Sequence, residues 1–106
     1  MNNVKPITPE EVRVVQIESI PDEVFLAFNE EIAKKYNGKI AVVKQSDVVI
    51  NIHTRMGLDS IDRDTIFKKG WLNIESIYAN YGWSVYYDKP GYNESYEPSF
   101  EFKRNT

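Results

Sequence analysis

The chain contains no cysteine, which removes disulfides, thiol nucleophiles and zinc–thiolate centres together. It has a single histidine, His53. A metal bound there would have to draw nearly every other ligand from carboxylates, an unusual zinc set. Acid–base work by His53 has no visible nucleophile beside it in sequence. The five glycines are scattered singly, without the GxGxxG or GxxxxGK[ST] spacing that cradles phosphate. No apolar run approaches the roughly 20 residues that span a bilayer. The opening "MNNVKPITPE" lacks the charged-then-apolar order of a secretion signal. Nor is there an excess of positive charge. The formal net charge of −3 gives no overall field toward nucleic acid or an anionic membrane. The expectation is a cytosolic chain used at full length, without enzymatic activity, cofactor, metal or membrane partner.

What is present suits a small globular domain. The chain has 106 residues, 42% of them hydrophobic and 27% charged, enough for one modest core. Aromatic residues reach 13% and gather after Phe67. Residues 1–7 read as a loose arm, and 8–106 as a single domain. "TPEE" is a helix-start signature, with Thr8 as cap, Pro9 in the first turn and Glu11 closing a capping box. The following "VRVVQI" is β-branched and favours strand. The two signals conflict, which leaves helix and strand both open for 8–18.

The next segment is unambiguous. In "PDEVFLAFNEEIAKKYNG", Pro21, Asp22 and Glu23 suit a first turn. Val24, Phe25, Phe28, Ile32 and Tyr36 form one apolar stripe, and Gly38 follows as a stop. "KIAVVK" predicts a short strand. "QSDVVINIHTRMG" predicts a helix capped by Ser46, with Val48, Val49, Ile52 and Met56 inward, His53 at the boundary and Gly57 as terminator. A helical turn is expected from about Asp62, with Ile61, Ile66 and Phe67 inward and Gly70 as a left-handed stop. Asn73 caps a further helix whose Ile74, Ile77, Tyr78 and Tyr81 share one face. Trp71 and Trp83 each follow a glycine and are assigned to the core, Trp83 the more firmly.

In "GWSVYYDKPGYNESYEPSFEFKR", Trp83, Val85 and Tyr87 alternate with Ser84, Tyr86 and Asp88. Phe100 and Phe102 answer them across Pro90, Gly91 and Asn93. This is a β-hairpin. The resulting order is that of an α+β, winged helix-turn-helix-like domain: three main helices, a short strand and a C-terminal hairpin.

"IPDEVFLAFNEEI", "VVKQSDVV" and "GWSVYYDKPGYNESYEPSFEF" together resemble a family of small proteins encoded by tailed bacteriophages. The likeness covers residues 20–103, and "YDKPGYNESY" is its most specific part. The family carries no assigned activity. The resemblance therefore implies a viral origin and a setting in the host-cell cytoplasm or the virion, and it transfers no functional residue.

Charge placement decides between partners. The outward positions of the last helix, Asn73, Glu75, Ser76, Ala79 and Asn80, include no cation. In the hairpin, Asp88, Glu94, Glu97 and Glu101 oppose Lys89 and Lys103. An acidic wing forfeits the phosphate attraction that supplies most non-specific affinity. Arg63, Lys68 and Lys69 form at most a small basic patch. Asp59, Asp62 and Asp64 bear a faint likeness to a calcium loop but lack its central glycine and final glutamate. Tyr86, Tyr92 and Tyr96, with Asp88, Glu94 and Glu97, are instead the candidate protein-contact residues, since exposed tyrosine offers rigid area at low entropic cost. The expected function is protein–protein binding to a host factor or phage component. Two alternatives remain. One is a nucleic-acid-binding module using Lys34, Lys35, Lys39 and Lys44. The other is a minor virion or assembly component that self-associates along a hairpin edge.

Overall fold

A computed structural model describes residues 6–57 and 63–105. It is an α+β structure with five helices and one three-stranded antiparallel sheet among the described residues. The helices are α1 (Pro9–Glu18), α2 (Asp22–Lys35), α3 (Gln45–Met56), α4 (Arg63–Lys68) and α5 (Glu75–Ala79). The strands are β1 (Ile40–Lys44), β2 (Trp83–Asp88) and β3 (Ser99–Arg104). None of these helices is long and apolar enough to cross a membrane.

The conflict in the first segment resolves as helix. Thr8 Oγ1 accepts from the Glu11 amide at 3.2 Å, and the Glu11 carboxylate accepts from the Thr8 amide at 3.1 Å. The cap thus satisfies two end donors and outweighs the strand preference of the valines.

In the sheet, β3 is central, in the order β1-β3-β2. Val43 pairs with Phe100 and Ala41 with Phe102, while Val85 and Tyr87 flank the same two phenylalanines from the other side. Alternation turns this set toward the helices. Phe28 of α2 stands edge-on to Phe100 at 5.2 Å and lies 6.2 Å from Phe102. Tyr78 stands edge-on to Phe102 at 5.5 Å. The core is therefore the α2 stripe laid over the inner sheet face, with α3, Ile66, Trp71, Leu72 and α5 closing it. The outer sheet face, carrying Val42, Glu101 and Tyr86 in one cross-strand row, has no second layer among the described residues.

Several local expectations are corrected. Ser46 does not cap α3: the helix begins at Gln45 with Lys44 at the cap position and no side-chain cap bond. Asn73 does not cap α5, which starts at Glu75 after Ile74 and spans barely more than one turn. Because α5 ends at Ala79, Tyr81 falls beyond its inner stripe and is 67% exposed. Phe67 is 41% exposed while its neighbour Ile66 is fully buried; the short α4 turns Ile66 to the core and leaves Phe67, about 100° further round, toward solvent. Trp71 is buried, whereas Trp83 is only partly so, reversing their ranking. Trp83 opens an edge strand, and Trp71 is drawn inward by the α4 terminator. There Gly70 adopts φ +70°, its amide bonds Phe67 O at 3.1 Å, and the Trp71 amide bonds Ile66 O at 3.3 Å. This is the paired end-carbonyl pattern that a left-handed residue permits.

Candidate functional site

The β2–β3 connection, residues 89–98, stands at one end of the sheet. Its stem is fixed by side chains. The Tyr96 hydroxyl lies 2.7 Å from both Asp88 Oδ1 and the Lys89 carbonyl. Glu94 Oε1 accepts from the Gly91 amide at 2.9 Å, and the Glu94 amide reaches Gly91 O at 3.2 Å. The Ser46 hydroxyl donates to Glu97, tying the returning strand to the start of α3. The Gln45 amide adds a bond to Pro98 O at 2.9 Å.

These contacts divide the six candidate contact residues. Asp88, Glu94, Tyr96 and Glu97 are spent on holding the loop, and Tyr96 folds back instead of projecting. Its phenol is pushed up to about 12, chiefly because the ionised form would lose the hydrogen bond to Asp88 and face that carboxylate. Tyr92 at the tip is fully exposed, and Tyr86 on the outer face of β2 is 61% exposed. The loop therefore presents one bare aromatic side chain on a braced frame, with a second on the adjoining strand. Sequence spacing could not separate these roles, because all three tyrosines sit in the same polar stretch.

The lysine set of the nucleic-acid reading is not brought together as expected. Lys44 ends β1 opposite Ser99, while Ile40, next to Lys39, pairs with Lys103. Four strand steps, about 13 Å, separate those ends. Lys34 is engaged by Glu31 at 3.4 Å. In place of Lys44, the register adds Lys103 and Arg104 to the Lys39 end. Asp59, Asp62 and the side chains of Asp64 and Arg63 lie outside the described residues.

The carboxylates of "NEE", Glu30 and Glu31, belong to a polar network between α2 and α3 whose other members sequence spacing does not bring together. Asn51 donates from Nδ2 to Glu30 Oε1 at 2.6 Å and to Glu31 Oε2 at 2.9 Å. Its Oδ1 accepts from Arg55 Nε at 2.8 Å, and Arg55 closes the ring onto Glu30 at 3.3 Å. Glu31 is buried, and Glu30 is held below the usual carboxylate range, first by the Asn51 bond. A cleft of about 430 Å³ opens beside this network. Its central groups already satisfy one another, so they serve as a clamp between helices and not as a vacant catalytic set. The only hint in the sequence is the pair of carboxylates at the middle of α2 facing an asparagine on α3. Among the described residues, no three His, Asp or Glu side chains are grouped to hold a metal.

A second concavity is apolar. One cleft, about 260 Å³, is lined by Ile17, Phe25, Asn29, Ile77, Tyr78, Tyr81 and Trp83. A neighbouring one of about 420 Å³ shares Asn29, Tyr78 and Trp83 with it and adds Tyr36. Tyr36 and Trp83 meet edge-on at 5.6 Å.

No protein-family model matches the chain, and no curated protein or solved structure gives a match either. None of these comparisons bears on the expected phage origin.

Proposed function

We propose that this chain is a non-enzymatic, phage-encoded binding module that grips a partner protein with the braced β2–β3 loop. The observation that carries this reading is Tyr92, wholly exposed at the tip of a loop braced by Glu94, Tyr96 and Glu97. Rigid presentation lowers the entropic cost of association, and tyrosine supplies contact area with few rotors to freeze. Tyr86, adjacent on an uncovered sheet face, extends the same surface. The frame supports a winged-helix reading, since β1 closes onto a C-terminal hairpin after an α2–β1–α3–α5 order. Its usual duplex-reading element would be α5, yet that helix has five residues, about 7.5 Å of rise. It also carries no cation.

The test is a photo-crosslinking amino acid placed at position 92 or 86 in the full chain, followed by capture from host or infected-cell lysate. A single protein crosslinked at both positions, and lost with Tyr92→Ala at unchanged melting temperature, supports the proposal. Capture that survives removal of both tyrosines refutes it.

One observation favours a second reading, a nucleic-acid surface built from Lys39, Lys103 and Arg104 at the far end of the sheet. Tight binding to an oligonucleotide that weakens steeply with salt, and is lost in Lys103→Glu, would replace the first reading with this one.

A further inference from the structure

Helix α1 is a ten-residue helix with Val12, Val14, Val15 and Ile17 among its residues. A helix shorter than about 12–15 residues is marginal alone in water, and β-branched residues lower its propensity further. Such a helix depends on burying a face. Yet among its described side chains Ile17 is the one packed against the core, while Val12, Val14 and Val15 are exposed. At 100° per residue, Val12 and Val15 point roughly 140–160° away from Ile17. The ridge they form looks away from the body of its own chain. No closure of α1 onto its own core covers it while Ile17 stays seated.

We propose that the Val12–Val15 ridge of one copy seats in the aromatic groove of a second copy, and the reverse, forming a two-fold dimer. This inference does not depend on the hairpin's role. Both halves of the contact exist on one chain, as a two-fold interface requires. The groove offers Phe25, Tyr36, Tyr81 and Trp83 across the two joined clefts. The charges match. Glu11 and Glu18 lie about 40–60° from Val15 on the helix surface, so the ridge has an acidic flank. At the groove, Arg104 pairs across the sheet with Trp83, which lines both clefts. Alternation puts Arg104 on the same face as Phe100 and Phe102, toward the groove. Two helices of about 15 Å give a contact below the roughly 1,200–2,000 Å² of stable complexes. The dimer is therefore of the weak, transient class.

Sedimentation velocity on the full chain, from low micromolar to near-millimolar concentration at low salt, tests this. A reversible monomer–dimer equilibrium is expected, weakened about tenfold or more by Val15→Glu in the ridge or Tyr81→Ala in the groove. Mixing those two variants is expected to recover part of the association, because the mixed dimer retains one intact ridge-in-groove contact. Should Val15→Glu melt α1, the charge pair supplies a second route. Glu18→Arg and Arg104→Glu each weaken the dimer, and together they restore it. A chain monomeric throughout the range overturns the proposal. So does a dimer indifferent to both Val15→Glu and Tyr81→Ala, and so does a ridge that binds an unrelated protein without any self-association.

Discussion

Tyr78 is the most informative single position in the core, because one atom there separates packing from hydrogen bonding. Its ring contacts Phe25, Phe28 and Phe102. Its hydroxyl donates to Asn29 Oδ1 at 2.7 Å, with the Phe25 carbonyl at 3.3 Å. Tyr78→Phe keeps the ring and opens no cavity, so its cost at neutral pH is that of one neutral hydrogen bond, about 1 kcal/mol. For a domain of this size that lowers Tm by roughly 4–8 °C. Burial also pushes the Tyr78 phenol well above its ordinary range. The sign follows from linkage. Below about pH 10 the phenol is neutral in both states. Above it, the unfolded chain releases the proton while the folded chain retains it, so folding loses about 1.4 kcal/mol per pH unit. Tyr78→Phe has no such proton to lose. Its deficit should shrink above pH 10, vanish near pH 11 and reverse beyond it, all other tyrosines being common to both proteins. Urea unfolding of the two chains between pH 8 and 11.5, with the pH-driven change compared within each pair, reads this directly. A deficit that stays constant across the range would refute the buried, donating hydroxyl, and a neutral-pH cost above about 3 kcal/mol would show that the ring itself had shifted.

The two loop tyrosines should behave in opposite ways. Tyr92→Ala leaves Tm within a few degrees, whereas Tyr96→Phe lowers it and abolishes a phenol transition near pH 12 in ultraviolet titration. The Tyr96 contribution is complete below the ordinary phenol range and disappears as pH rises through about 12. Asn51→Leu strands the buried Glu31 with Lys34 as its remaining partner, and should cost about 1–3 kcal/mol in chemical denaturation. Gly70→Ala places a side chain at φ +70° and brings a Cβ within 3.2 Å of Asn73 Nδ2. A loss of about 1–2 kcal/mol is expected, with Trp71 fluorescence shifting as its seat loosens. Thr8→Ala removes the α1 capping box and should speed amide exchange within residues 9–18, while leaving the global unfolding midpoint unchanged, since α1 lends the core little more than Ile17.

The α2 stripe was legible because its periodicity and its burial coincide: Val24, Phe28 and Ile32 are all buried where the spacing puts them. The hairpin alternation was legible for the same reason, Val85 and Tyr87 meeting Phe102 and Phe100 across the ladder. Phe67, Tyr81 and the Ser46 cap were misread because hydrophobicity and capping chemistry name what a residue can do, while neighbours decide what it does. Ser46 is bound to Glu97, fifty-one positions away in sequence, and no local pattern reports that.

For the candidate site the division is sharper. Composition and charge order located the tyrosine-rich loop and identified every side chain in it. Which tyrosines are bare and which are braces was settled only when β3 paired with β2 and brought Tyr96 to Asp88. In the same way, "TPEE" offered a capping box while the valines after it favoured strand, and only the folded chain settled the segment as a helix from Pro9. That the helix leaves its valines uncovered could be decided only in three dimensions, since exposure depends on where the core ends and local hydrogen bonding does not.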